Sequence, residues 1–199
     1  VDAIEDYQAL VTPFVKSGAS SGRSMVYFRF ASHPPLIPED DAVIKVELDP
    51  NAGFETFIAI IHNTIERAGR GSLYVFDSLS ELAADWYSDQ MLGNFFMLTC
   101  PYLFDLETVA YFALFRNYHS SRALQPIFET TQLFLDVYCY RDTRYIYPMK
   151  VHLRYSSTMN MLHEWKGDEF RPVTASALIS SILTSVNWSG LDSDSRPGI

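Results

Sequence analysis

The stretch Ser72-Leu73-Tyr74-Val75-Phe76-Asp77-Ser78-Leu79-Ser80-Glu81-Leu82 decides how this chain is read. Leu73–Phe76 is an apolar run of aromatic and branched residues preceded by Gly69 and Gly71, and a run bounded in this way reads as a buried central strand. It ends on an acid, Asp77. Ser-Leu-Ser and the start of a helical pattern follow. A carboxylate at the carboxyl end of a central strand stands at the edge of an open α/β sheet, where such folds bind their ligands. The competing reading makes Asp77 a cap for the following helix. The residues by themselves leave both open.

Working outward, apolar residues at helical spacing predict a helix from Ile4 to Lys16, with acids at its front and Gly18 as its stop. Met25–Phe30 (MVYFRF) reads as a strand, with Arg29 a strand-end arginine pairing with a nearby acid. His33-Pro34-Pro35-Leu36 is a loop, because neither a helix nor a central strand tolerates that pair of prolines. Val43–Leu48 alternates as a half-exposed strand, and Asp49–Gly53 turns the chain into a helix over Phe54–Ala68. Two helical stretches, Leu79–Tyr87 and Gln90–Leu98, follow the central strand. Glu107–Phe115 has the composition of another buried strand, and Ser120–Thr130 is helical despite Pro126. Gln132–Tyr140 and Tyr147–Tyr155 are strands joined by a polar turn at Arg141–Thr143. Glu164–Val173 suits a further hairpin, and Ala175–Leu183 a closing helix. Strands alternating with helices and then a meander of strands predict an α/β fold: a mostly parallel central sheet flanked by helices, with antiparallel strands at its C-terminal edge.

Composition narrows the function classes. A 199-residue chain with 48% hydrophobic residues buries a sizeable core, most simply as one domain over 1–184 followed by a polar tail or linker over 185–199. Its net charge of −9 and lack of a Lys/Arg run argue against nucleic acid as a partner. The two cysteines, Cys100 and Cys139, have no metal-ligand spacing and read as buried free thiols of a reducing, cytoplasmic compartment. No apolar run approaches a membrane span. The opening VDAIEDY, with no initiator methionine, and the closing LDSDSRPGI read as cuts within a longer polypeptide.

Few motifs carry chemistry. Gly18-Ala-Ser-Ser-Gly22-Arg23-Ser24 is one residue short of a phosphate loop, has Arg for Lys, and joins a helix to a strand, the wrong order for aiming a helix N-terminus at a phosphate. It reads as an ordinary loop. The five histidines form no i,i+4 metal pair, and there is no Gly-x-Ser-x-Gly elbow. Phe95, Phe96, Tyr111 and Phe112 read as core, and Trp86 as a large core residue of a helix packed on the sheet.

Taken together, the chain resembles the RecA-like core of the KaiC family of P-loop ATPases from Ser24 to about Thr174. VFDSLSEL (75–82) is similar to that family's Walker B strand, ETVAYFALF (107–115) to its next core strand, and KVHLRYSSTM (150–159) to its late strand. The resemblance implies that Asp77, with Ser78, holds Mg²⁺ and ATP. It also implies that Arg154, with His152 and Lys150 as the neighbouring basic residues, faces the next subunit of a homo-oligomeric ring. Where the family has paired glutamates after the first strand, this chain has Ala31-Ser32, so no catalytic residue is assigned. Loss of a positioned base removes roughly 10²–10⁴-fold of rate.

Four longer stretches, GFETFIAIIH (53–62), YVFDSLSELAADWYSD (74–89), MLGNFFMLTCPYLF (91–104) and ETTQLFLDVY (129–138), resemble the front domain of bacterial phosphoenolpyruvate synthase-like proteins. That resemblance places the first core strand and a degenerate phosphate loop before Val1, and dikinase domains after Ile199. The expectation is a non-catalytic domain serving assembly or regulation in such a protein. The alternative is an ATPase or kinase domain whose Walker A loop lies upstream.

Overall fold

The computed structural model describes residues 1–86 and 88–185, without the side chain of Asp89. Tyr87 and all but the first residue of the expected tail 185–199 lie outside the described residues. The chain forms two compact units, one of Ala3–Phe115 with His119–Thr131, the other of Val1–Asp2, Arg116–Tyr118 and the chain from Gln132.

The first unit is built on a four-stranded, all-parallel sheet of β1 (Met25–Arg29), β2 (Val43–Glu47), β3 (Leu73–Ser78) and β4 (Val109–Ala113), in the order β2-β1-β3-β4. β3 is buried along its whole length and β1 along all but Arg29, as continuous apolar runs require when helices cover both faces. Helix α1 (Ile4–Ser21) lies on one face. Phe14 stacks on Tyr111 at 4.0 Å, and the Tyr7 hydroxyl donates to the Phe76 carbonyl at 2.7 Å. On the other face α2 (Phe54–Ala68) buries Phe57, Ile61 and Ile65, one turn apart. There Phe57 meets Phe95 of α4 (Asp89–Asp105), and Phe95 meets Phe76. Trp86 packs edge-on against Phe54, Phe57 and Phe95, the core role expected of it. Helices α3 (Leu79–Asp85) and α5 (Ser121–Thr130) complete the unit.

Three local expectations change. Gly18 does not end α1; the helix runs to Ser21 and closes on Gly22, whose φ of 68° is the left-handed conformation glycine adopts freely. Gly18 is instead a packing residue, since a Cβ there would lie 2.5 Å from Met25 Cε and 2.8 Å from Leu73 Cδ1. Helix α4 continues through Pro101 to Asp105. β4 is only partly buried, with Val109 41% exposed, because it closes an edge of the sheet.

The second unit is an antiparallel meander of β5 (Leu133–Tyr140), β6 (Thr143–Val151), β7 (His163–Lys166) and β8 (Glu169–Pro172), followed by α6 (Ser176–Ser185). The late strands are antiparallel as expected, and they hydrogen-bond as a sheet of their own. Arg141 and Asp142 turn the first hairpin with φ of 50° and 61°, the conformation a two-residue hairpin loop demands. Tyr138, Tyr145, Leu162, Val173 and Ile182 form the core. Arg116 is braced in this unit by Asp2 at 2.7 Å and Asp136 at 2.6 Å, and lies over the Tyr138 ring. The cysteines are free, but neither falls among the buried residues: Cys100 is partly buried and Cys139, turned outward by β5, is exposed.

Replacing Gly18 tests the α1 contact. Gly18→Val forces Met25 and Leu73 out of a filled core and is expected to destabilise the fold by about 2 kcal/mol, read as a lower urea midpoint at unchanged m-value.

Candidate functional site

The strand order puts β2 on one side of β1 and β3 on the other, so the direction of winding reverses between β1 and β3. The crevice outside the carboxyl ends of the strands at such a reversal is where open α/β sheets take ligands. Arg29 ends β1 and Asp77 approaches the end of β3, so both stand at this point. The pairing of β3 with β4 slips between Val75 and Ser78: Val75 is opposite Tyr111, yet Ser78 is opposite Ala113. That extra residue is a bulge, a device that re-aims a side chain at the end of a ladder. It falls on Phe76–Asp77.

Asp77 has no exposed surface. Its carboxylate is met entirely by this chain. Tyr27 donates its hydroxyl to Oδ2 at 3.1 Å, and the Ser78 backbone N–H donates to Oδ1 at 3.2 Å. His33 Nε2 lies 2.7 Å from Oδ1, and an Arg29 guanidinium nitrogen lies 3.7 Å from Oδ2. Around this centre runs a second ring of contacts. Glu81, on the first turn of α3, lies 3.6 Å from His33 Nε2 and accepts from both the backbone N–H and the hydroxyl of Ser32 at 3.0 Å. Arg29 also donates to the His33 carbonyl at 2.6 Å, and the Leu36 N–H donates to the Tyr27 hydroxyl at 3.2 Å.

Electrostatics follow from burial. Burial raises the Asp77 carboxyl above the ordinary aspartate range, while His33, the Tyr27 hydrogen bond, Arg29 and the Ser78 N–H pull it back. Burial, with Asp77 beside it, pushes the Tyr27 hydroxyl up to about 12, so it remains a neutral donor. Three buried atoms here lack an aligned hydrogen bond: an Arg29 guanidinium nitrogen, His33 Nε2 and Ser78 Oγ. The Arg29 and His33 atoms both lie against Asp77, at 3.7 Å and 2.7 Å. Ser78 Oγ has no partner.

Helix capping does not account for Asp77, because the N-cap of α3 is Ser78 and the Asp77 oxygens face the sheet residues and His33. Nor do the residues as placed fit Mg²⁺, which needs open carboxylate oxygens and room for retained waters. Among the described residues no group of three His, Cys, Asp or Glu is arranged to hold a metal. Ala31-Ser32, standing where the resemblance has glutamates, is committed to structure: Ala31 is buried and Ser32 holds Glu81.

The expected interface residues belong to the second unit. β6 ends at Val151, so His152 and Arg154 lie beyond the strand rather than on it. Leu153, with a φ of 53°, breaks the extended conformation, after His152 N–H has bonded to the Gln132 carbonyl at 2.7 Å. The His152 and Arg154 side chains are exposed, and Lys150 is partly buried opposite Phe134. The residues that surround Asp77 were foreseen only in part. Arg29 was expected to find an acid. Glu81, on the helix after the strand, and His33, from a proline loop, carried no such signal.

Against known proteins, no family model and no curated protein matches this chain. No described helix is long and apolar enough to cross a membrane.

The pH dependence of stability tests the burial of Asp77. Because its folded-state value is raised, the folded state holds a proton that the unfolded chain has released, so this contribution is full below the ordinary aspartate range and is lost as pH rises through the raised value. The stability of the wild type relative to Asp77→Asn, measured by urea unfolding across the acid range, is expected to fall as pH increases. A difference that grows with pH would contradict the assignment.

Proposed function

We propose that this chain is a non-catalytic RecA/KaiC-like domain with an assembly or regulatory role inside a larger, cytoplasmic, phosphoenolpyruvate synthase-like protein. The observation that carries the reading is the state of Asp77. In a nucleotide hydrolase the equivalent acid faces the metal and phosphates; here it is enclosed and matched by Tyr27, His33 and Arg29. The Ala31-Ser32 pair supports the same reading, since neither side chain activates water and Ser32 is bonded to Glu81. Assembly would use a surface of the second unit. The exposed turn His152–Tyr155 is the candidate, with Leu153 91% and Tyr155 93% exposed beside Arg154. A ring of identical subunits and contacts with downstream domains of the same polypeptide are the partners this reading calls for.

One observation favours the second reading, an ATPase or kinase domain completed by an upstream phosphate loop. Glu81 brings a carboxylate, 27% exposed, to Ser32, next to the position of the missing glutamates. Under that reading Glu81 would be the candidate base, and the contacts of Asp77 with Tyr27, His33 and Arg29 would have to part before it could hold a metal ion.

A thermal-shift titration with Mg-ATP separates the two, run on this chain and on any longer natural polypeptide that contains it. Occupancy at 100 times Kd would stabilise by about 2.7 kcal/mol, a rise of several degrees. The proposed function predicts no shift at millimolar nucleotide. A rise that Asp77→Ala abolishes would replace it with the second reading.

A further inference from the structure

We infer that residues 31–42 form a strap that closes the crevice at the carboxyl ends of β1 and β3 and opens as a unit when the His33 clasp on Asp77 and Glu81 is released. The inference concerns access to the crevice and holds whichever ligand the crevice takes.

The connection itself is unusual. β1 and β2 are parallel neighbours, and chains joining such strands ordinarily return through a helix packed on the sheet. Residues 30–42 contain neither helix nor strand. They therefore lack the apolar helix face and the internal hydrogen bonds that would fix a crossover in place. Side chains fix it instead. His33 reaches Asp77 and Glu81, Ser32 bonds Glu81, the His33 carbonyl receives Arg29, and the Gln8 amide donates to the Leu36 carbonyl at 3.2 Å. Leu36 and Ile37 are buried beneath this set, while Pro34, Pro35 and the run 38–42 are exposed.

Two features make the closed state poised rather than permanent. Pro34, Pro35 and Pro38 fix three backbone angles and remove three backbone donors, so the segment is stiff and contributes little main-chain hydrogen bonding of its own. A stiff piece tied at a few points detaches together when the ties fail. The closed arrangement also leaves Arg29 and His33 each with a buried polar atom lacking a hydrogen bond. Opening hydrates both. That gain works against the exposure of Ala31, Leu36 and Ile37, and local openings are drawn from segments whose terms oppose each other in this way.

Hydrogen exchange on the intact chain, read by peptide, tests the strap. His33→Ala removes the clasp; Ser32→Ala, at an exposed residue, removes only one tie and guards against a variant that fails to fold. In His33→Ala, exchange over residues 31–42 is expected to rise by about tenfold or more, with Leu73–Phe76 unchanged; Ser32→Ala raises it less. Unchanged exchange over 31–42 in both variants would overturn the strap. So would loosening of 31–42 and β3 to the same extent, because the segment would then belong to the core's cooperative unit. Neither outcome bears on nucleotide binding, which the Mg-ATP titration reads separately.

Discussion

A carboxylate removed from water must find its charge or its hydrogen bonds inside the protein. In this chain that demand falls on Asp77, and the organisation around the carboxyl edge of the parallel sheet answers it. Tyr27 and Arg29 come from β1, His33 from the loop that follows, Ser78 from the bulged end of β3. Because the partners come from separate segments, one side chain ties together two strands and a crossover that has no helix of its own. The favourable contacts and the burial penalty oppose each other. Burial prevails in setting the protonation balance of Asp77.

The same arrangement shapes what the site does. An acid at the winding reversal of an open sheet is in the place where ligand chemistry ordinarily happens, and here its oxygens are directed at the chain's own donors. Glu81 repeats the pattern one helical turn on, held by Ser32 and near His33. Chemistry at this edge would first require these internal contacts to part, and the loop that makes most of them is the least regular connection of the unit.

Much of the fold was legible because its signals are local. The apolar run Leu73–Phe76, the three buried isoleucine and phenylalanine positions of α2 and the Arg141-Asp142 turn each carry their own explanation. Gly18 misled because a glycine near a helix end reads as a stop, whereas its lack of a Cβ serves contact with Met25 and Leu73, residues that come close only in the folded sheet. The exposure of β4 was hidden because composition does not tell an edge strand from a central one. At the site, Asp77 was visible as the acid ending a strand. His33 was not, since nothing local in a proline loop says which acid it will meet. Arg154 was expected on a strand, and the strand ends three residues earlier because Leu153 takes a left-handed turn.

The most direct measurement is a double-mutant cycle between His33 and Asp77, using His33→Ala, Asp77→Asn and the pair, with stability read by urea unfolding at neutral pH. Two groups 2.7 Å apart in a buried network should be coupled, and the account predicts a favourable interaction of about 1–3 kcal/mol. Additivity of the two substitutions within about 0.5 kcal/mol would contradict it. Asp77 would then be held by Tyr27, Arg29 and the Ser78 N–H without His33, and the clasp would not stand.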